Sequence, residues 1–246
     1  MQRYTILFFT FIILSLTFTG NVKAQETQNN ALSNVELSAN VGLYSQYVFR
    51  GISQSDEGPA LQGGFDAAHS SGLYAGTWAS NVDFNDASEA SLELDLYAGY
   101  ANNMGNIGYD VGFIYYAYPG ADSALNYDYY EFMASLSYDL EKASITGAVN
   151  FTPENFGETG NAIYTALDVN VPIQNNLSAN LHAGYQTIDD EVSFGVKDYL
   201  DWSVGLDYTV QDFTLSAAYV DTNLSEPSEC ADNCAAKLVF GISTSF

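Results

Sequence analysis

Positive charge is what this sequence has least of. Six Lys and Arg stand against 30 Asp and Glu, a balance that cannot neutralise phosphate and so excludes nucleic acid as a partner. Cysteine is nearly absent, at two residues, and His69 and His182 are the only histidines, too few neighbouring ligands for a zinc site. No segment carries the spaced aspartates of a dedicated calcium loop, so neither a bound metal nor a cofactor is expected. Long apolar runs are confined to the first residues. Beyond them none approaches the ~20 residues that a membrane helix needs, and any membrane insertion must be by strands.

The first 24 residues form a separate object, with Arg3 as the one early charge, an apolar run from Ile6 to Phe18, and Val22-Lys23-Ala24 as a small-x-small cleavage site. This is the pattern of a secretory signal peptide, with an N-terminal anchor as the alternative. Its removal takes away Arg3 and Lys23, leaving four basic residues against 30 acidic ones, a net charge of −26. Residues 25–34 then read as a short periplasmic tail. A disordered acidic chain would be poor in aromatics. This one is 15% aromatic, with 19 Tyr, and only 15% charged, so it folds. In an oxidising compartment Cys230 and Cys234, with three residues between them, are expected to close a small disulfide loop, with free thiols as the alternative.

From Val35 onward the hydropathy has period two. In "SLELDLYAGY" Leu92, Leu94, Leu96, Ala98 and Tyr100 share one face, and Glu93, Asp95, Tyr97 and Gly99 the other. Five more segments repeat this alternation, and no apolar face of the six carries a charge. Six further segments, near 35–44, 60–68, 73–80, 107–117, 213–220 and 237–246, bring the strand count to twelve; the one at 73–80 has no clear parity. Connections alternate between short ("HSSG", "NNMGN", "DLEK", "PIQNN", "VQD") and long, with both termini on the short side. Residues 35–246 therefore read as an all-β, antiparallel transmembrane barrel of outer-membrane type, with short periplasmic turns and longer extracellular loops. A soluble sandwich also alternates, but it needs charged groups outside its apolar core. Here the polar face is Gly, Ser, Ala and Asn with carboxylates, and the apolar face is bounded by rings such as Tyr100, Tyr138, Phe151, Tyr185, Tyr208 and Phe213, which suit a membrane interface.

The stretch from Ser38 to Val82, above all "YVFRGISQS" and "ALQGGFD", resembles the opening of the TorF-type porin family of proteobacterial outer membranes. The resemblance implies a Gram-negative outer-membrane location and a porin-like role, without a defined substrate or catalytic residues. A terminal Phe is also general to such barrels. Phe246, with Ile242 and Phe240 on the same face, is accordingly expected to be a signal to the assembly machinery.

By parity, Glu36, Asp66, Glu93, Asp95, Asp110, Glu131, Asp168, Asp201 and Asp207 face inward, and the mature chain sets only Arg50, Lys142, Lys197 and Lys237 against them. Pairing is arithmetically impossible. Hydration is the cheaper expectation, since isolated buried charges cost several kcal/mol, and inward Gly42, Gly64, Gly99, Gly112, Gly184 and Gly205 would leave room for water. An acidic lumen favours cations; the alternative places several of these acids at the rims. Arg50 either enters the lumen, pairs with inward acids and sets a constriction, or anchors the first loop. Loop acids such as Asp56, Glu57, Asp83, Asp122, Glu154 and Asp189 could meet lipopolysaccharide through Ca²⁺ or Mg²⁺. A hydrolase needs a histidine beside a nucleophile or an acid; His69 is expected at a periplasmic turn and His182 mid-strand, so no catalysis is expected. A channel for small cationic or neutral solutes, and a non-conducting barrel with binding loops, remain the two readings.

Overall fold

The computed structural model describes residues 34–85, 90–230 and 233–246. The expected leader, nearly all of the tail and the loop acids Asp86, Glu89 and Asp232 lie outside them. Fourteen strands follow in chain order: β1 (Val35–Tyr44), β2 (Val48–Phe49), β3 (Ile52–Ser53), β4 (Ala60–His69), β5 (Leu73–Asn81), β6 (Leu92–Met104), β7 (Ile107–Ala117), β8 (Tyr129–Leu140), β9 (Ala143–Thr152), β10 (Ala162–Gln174), β11 (Leu177–Ile188), β12 (Tyr199–Val210), β13 (Phe213–Thr222) and β14 (Lys237–Ser245). Among the described residues, β1 and β4 to β14 form one closed antiparallel barrel of twelve strands, and β2 pairs only with β3. All twelve expected segments are barrel strands.

Closure is made by the two ends of the chain. β1 pairs with β14 from Asn40↔Ser245 to Tyr44↔Gly241, and Phe246 exchanges backbone hydrogen bonds with Ala39 at 2.8 and 3.2 Å. These bonds extend the β1–β14 ladder, and the closed sheet has no open edge in a medium without water. Leu238, Phe240, Ile242 and Phe246 all lie exposed on the outer face. So do Leu37, Phe65, Leu96, Val111, Phe132, Leu136, Leu167 and Leu215, an apolar exterior that only lipid accommodates. Pro172, which has no N–H to give the ladder, sits where β10 shifts register against β11, between Pro172 and Gln174, a bulge position that tolerates it.

The strand without clear parity, β5, points Tyr74, Trp78 and Ser80 inward and Leu73, Ala75 and Ala79 outward. Its aromatics lie inside and Ala75 and Ala79 outside, which inverts the hydropathy there. The inward glycines differ from expectation in a related way. An added Cβ would lie 2.6 Å from the Tyr44 ring at Gly42, 2.3 Å from the Tyr74 hydroxyl at Gly99, and 2.0 Å from the Tyr164 hydroxyl at Gly184. The room these glycines leave is taken by tyrosine rings lying along the wall, not by water, in the manner by which aromatics shield glycine in sheets.

This packing predicts a contrast within one barrel. Gly184→Val should destabilise by about 1–3 kcal/mol, as overpacking does. Gly147→Val, on the outer face of β9 with nothing within 4 Å of its added Cβ, should be neutral. Urea unfolding of the reconstituted barrel measures both.

Candidate functional site: the inner wall and the mouth

The short-turn end carries the start of β1 and Phe246, and the long-loop end carries a lid. Residues 45–59 leave β1 and turn back as the β2–β3 hairpin. Arg50 and Gly51 stand at its tip with positive φ of 47° and 81°, the backbone hand that a tight hairpin turn requires. Gly51 meets the wall at β12 and β13 directly, since an added Cβ would lie 2.5 Å from Thr222 Cγ2 and 2.8 Å from Asp201 Cβ. The hairpin is tied in place by Tyr47 N donating to Ser55 Oγ at 2.9 Å and by Ser53 N donating to the Asn233 carbonyl of the last loop at 2.9 Å.

Arg50 crosses the bore. Its guanidinium donates to Glu131 Oε2 of β8 at 2.7 Å and to Gln186 Oε1 of β11 at 2.8 Å. In the order of strands around the barrel these lie across from β1 and β4, where the loop begins and ends. The cation also stacks over the rings of Phe49 and Tyr164, 4.6 and 4.2 Å from their centroids, a favourable contact for a desolvated guanidinium. Arg50 and Glu131 are 6% and 1% exposed. The two expectations for Arg50 are thus one geometry: the residue that enters the lumen also pins the loop.

Around this latch the mouth is aromatic. Tyr47, Trp78, Ile114, Tyr116, Tyr118 and Tyr129 form a buried cluster joined by Phe49, Phe84, Tyr127 and Phe156. Tyr116 and Tyr129 stack with centroids 4.5 Å apart. The expected Cys230–Cys234 disulfide is present and packs with Tyr199 and Leu224 against Ile52 of the first hairpin. On the outside of the same loops Lys197 pairs with Glu229, and that hydrogen bond holds the Glu229 carboxyl below its ordinary range.

The predicted inward acids are mostly on the wall, and phenols satisfy them where cations are lacking. Tyr47 and Tyr118 donate to Glu93 at 2.7 and 2.8 Å, Tyr74 to Asp110 at 2.8 Å, and Tyr97 to Asp66 at 2.5 Å. Tyr116 donates to Glu131 at 3.2 Å and Asn150 Nδ2 does so at 2.9 Å. Tyr164 donates to Asp201 at 3.0 Å, and Asn180 Nδ2 to Asp207 at 2.7 Å. His182 stands between two carboxylates, with Nδ1 2.7 Å from Asp168 and Nε2 3.0 Å from Asp201. Asp95 has neither oxygen bonded. Glu36 lies at the exposed end of β1, away from the rest. His69 is at the β4–β5 turn, bonded to Ser71 Oγ at 2.8 Å.

These phenols were missed in the sequence, where the acids were matched against lysine and arginine alone. Their signal was parity, since Tyr97 alternates in step with Glu93 and Asp95. Among the described residues, the one group of three His, Cys or carboxylate ligand atoms within 4.8 Å is Glu226, Cys230 and Cys234, and the disulfide removes both thiolates.

A family model described as "Bacterial protein of unknown function (Gcw_chp)" matches residues 28–246. No curated protein matches the sequence. Among solved structures, the KdgM porin is similar with a TM-score of 0.59 at 8% identity, over 85% of this chain and 99% of that one; it is also solved in complex with disordered oligogalacturonate. The NanC porin gives 0.56 at 13% identity, over 86% and 99%. The COG4313 outer membrane channel from Pseudomonas putida F1 gives 0.52 at 14% identity, over 89% and 99%. At such identities the likeness is one of fold, and these neighbours are porins and channels.

The latch makes a prediction about stability. Removing one partner of a buried ion pair strands the other charge, so Arg50→Met should cost about 3–5 kcal/mol. Adding Glu131→Gln, which removes that charge but keeps an acceptor for Tyr116 and Asn150, should recover most of the loss. The two urea midpoints decide it.

Proposed function

The chain belongs to the Gcw_chp family and has the fold of outer-membrane porins, and from that premise we propose that it is a passive, cation-preferring channel for small solutes in the outer membrane of a Gram-negative bacterium. The observation that carries this reading is the charge of the inner wall. Asp66, Glu93, Asp95, Asp110, Glu131, Asp168, Asp201 and Asp207 line it, with Arg50 as their close cationic partner and the His182 ring between Asp168 and Asp201. Tyrosine donors hold most of these carboxylates without cancelling their charge. A wall of one sign in a low-dielectric tube concentrates the opposite ion. KdgM is solved with oligogalacturonate, a polyanion. An acidic wall disfavours such a solute, so the shared fold does not extend to a shared substrate class. The TorF-type kinship rests on Ser38–Val82 and agrees with this role.

The aromatic mouth favours a second reading, a barrel that conducts nothing and whose exposed loop acids bind lipopolysaccharide through Ca²⁺ or Mg²⁺. In both readings the outward Phe246, Ile242 and Phe240 serve as the signal to the assembly machinery.

Planar-bilayer recording separates the two. The channel reading expects discrete conductance steps, small because the first loop crosses the bore. Arg50→Ala should enlarge them by freeing the loop. Silence from both proteins over a wide voltage range would support the non-conducting barrel.

A further inference from the structure

Asp95 differs from every other acid of the inner wall. It is 1% exposed, and neither carboxylate oxygen has a hydrogen-bond partner. Its neighbours make this costly, because the like charges of Glu93 and Glu131 both reach it, while Glu93 has two phenol donors and Glu131 has Arg50. Either protonation state is incomplete. An ionised Asp95 lacks a donor, and a protonated one has an O–H with nothing to accept it.

The surroundings indicate what would complete it. Asp95 stands directly opposite Trp78 of β5 and Tyr116 of β7 in the sheet register, and the Tyr47 ring packs edge-on against Trp78 at 5.3 Å. Among the described residues no three carboxylate or histidine ligand atoms converge here, so the setting does not suit a hard metal ion, which gathers six or more oxygens. A carboxylate set between aromatic residues of the two neighbouring strands suits an organic cation that carries N–H donors. The chain shows the same chemistry once already, in Arg50, whose guanidinium lies between Glu131, Gln186 and two aromatic rings.

We propose that Asp95, with Trp78 and Tyr116, is a binding subsite for the guanidinium or primary ammonium group of a small organic cation. Trp78 and Tyr116 pack against Tyr47 and Phe49 of the first loop, so the ligand binds when that hairpin lifts, next to the Glu131 carboxylate that Arg50 then vacates. This rests on the cation-preferring reading and adds the class of cation.

The test uses the full barrel in lipid vesicles carrying Trp202→Phe, which leaves Trp78 as the single tryptophan of residues 25–246. Methylguanidinium should change the Trp78 emission saturably, and Asp95→Asn should weaken the effect by ~30-fold or more, as loss of a buried charged partner does. Tetramethylammonium, with the same charge and no N–H, should have no such effect, and calcium should not compete. Equal effects of the two organic cations, no effect of methylguanidinium, displacement by calcium, or an unchanged affinity in Asp95→Asn would each overturn the subsite. Should that variant fail to fold, the comparison of the three ions on the unsubstituted Asp95 decides alone. Binding is read without current, so a saturable site in a silent barrel would refute the channel and keep the subsite. A cation-conducting barrel that ignores methylguanidinium would do the reverse.

Discussion

Carboxylates must be held inside this barrel almost without cations, and tyrosine is what holds them. A lysine or arginine would neutralise an inward acid, whereas a phenol donates a hydrogen bond and leaves the charge in place. Tyr74 and Tyr164 also lie over glycines of neighbouring strands while their hydroxyls reach Asp110 and Asp201. One residue type thus fills the wall, shields bare backbone and satisfies an acid. A chain so poor in basic residues can in this way build an ordered polar interior, and on the channel reading the field of the wall survives the pairing.

Arg50 is the exception, and its cost is met by unusual surroundings. A guanidinium at 6% exposure is tolerable only with its donors engaged and its faces covered, and Glu131, Gln186, Phe49 and Tyr164 do both. The latch fixes where the first loop lies. The disulfide loop packs against the back of that hairpin through Ile52, so the two loops nearest the chain's ends in the barrel form one lid. On the channel reading, a solute crossing the bore has to displace that lid, which the Arg50–Glu131 pair holds to the wall.

Much of this was legible in the sequence. The twelve strands, the alternation of short turns with long loops and the Cys230–Cys234 bond follow from period two, turn residues and spacing, because lipid demands one apolar face per strand over a fixed length. β5 was not legible, since Trp78 and Tyr74 face a chamber and Ala75 and Ala79 face lipid. The partner of Arg50 was not either. Glu131 is 81 residues away, and nothing local specifies which of the inward acids a folded loop will reach. Gly42, Gly99, Gly112 and Gly184 were read as space when they were seats for tyrosine rings, an error of matching residues by charge and size separately. The family name was not recoverable from the opening segment alone.

The central claim is that the inner wall carries a net negative charge that acts on a permeating ion. The reversal potential of the reconstituted protein across a potassium chloride gradient tests it most directly. The account predicts a potential displaced toward the equilibrium value of potassium, while a value at zero or displaced toward chloride would contradict it.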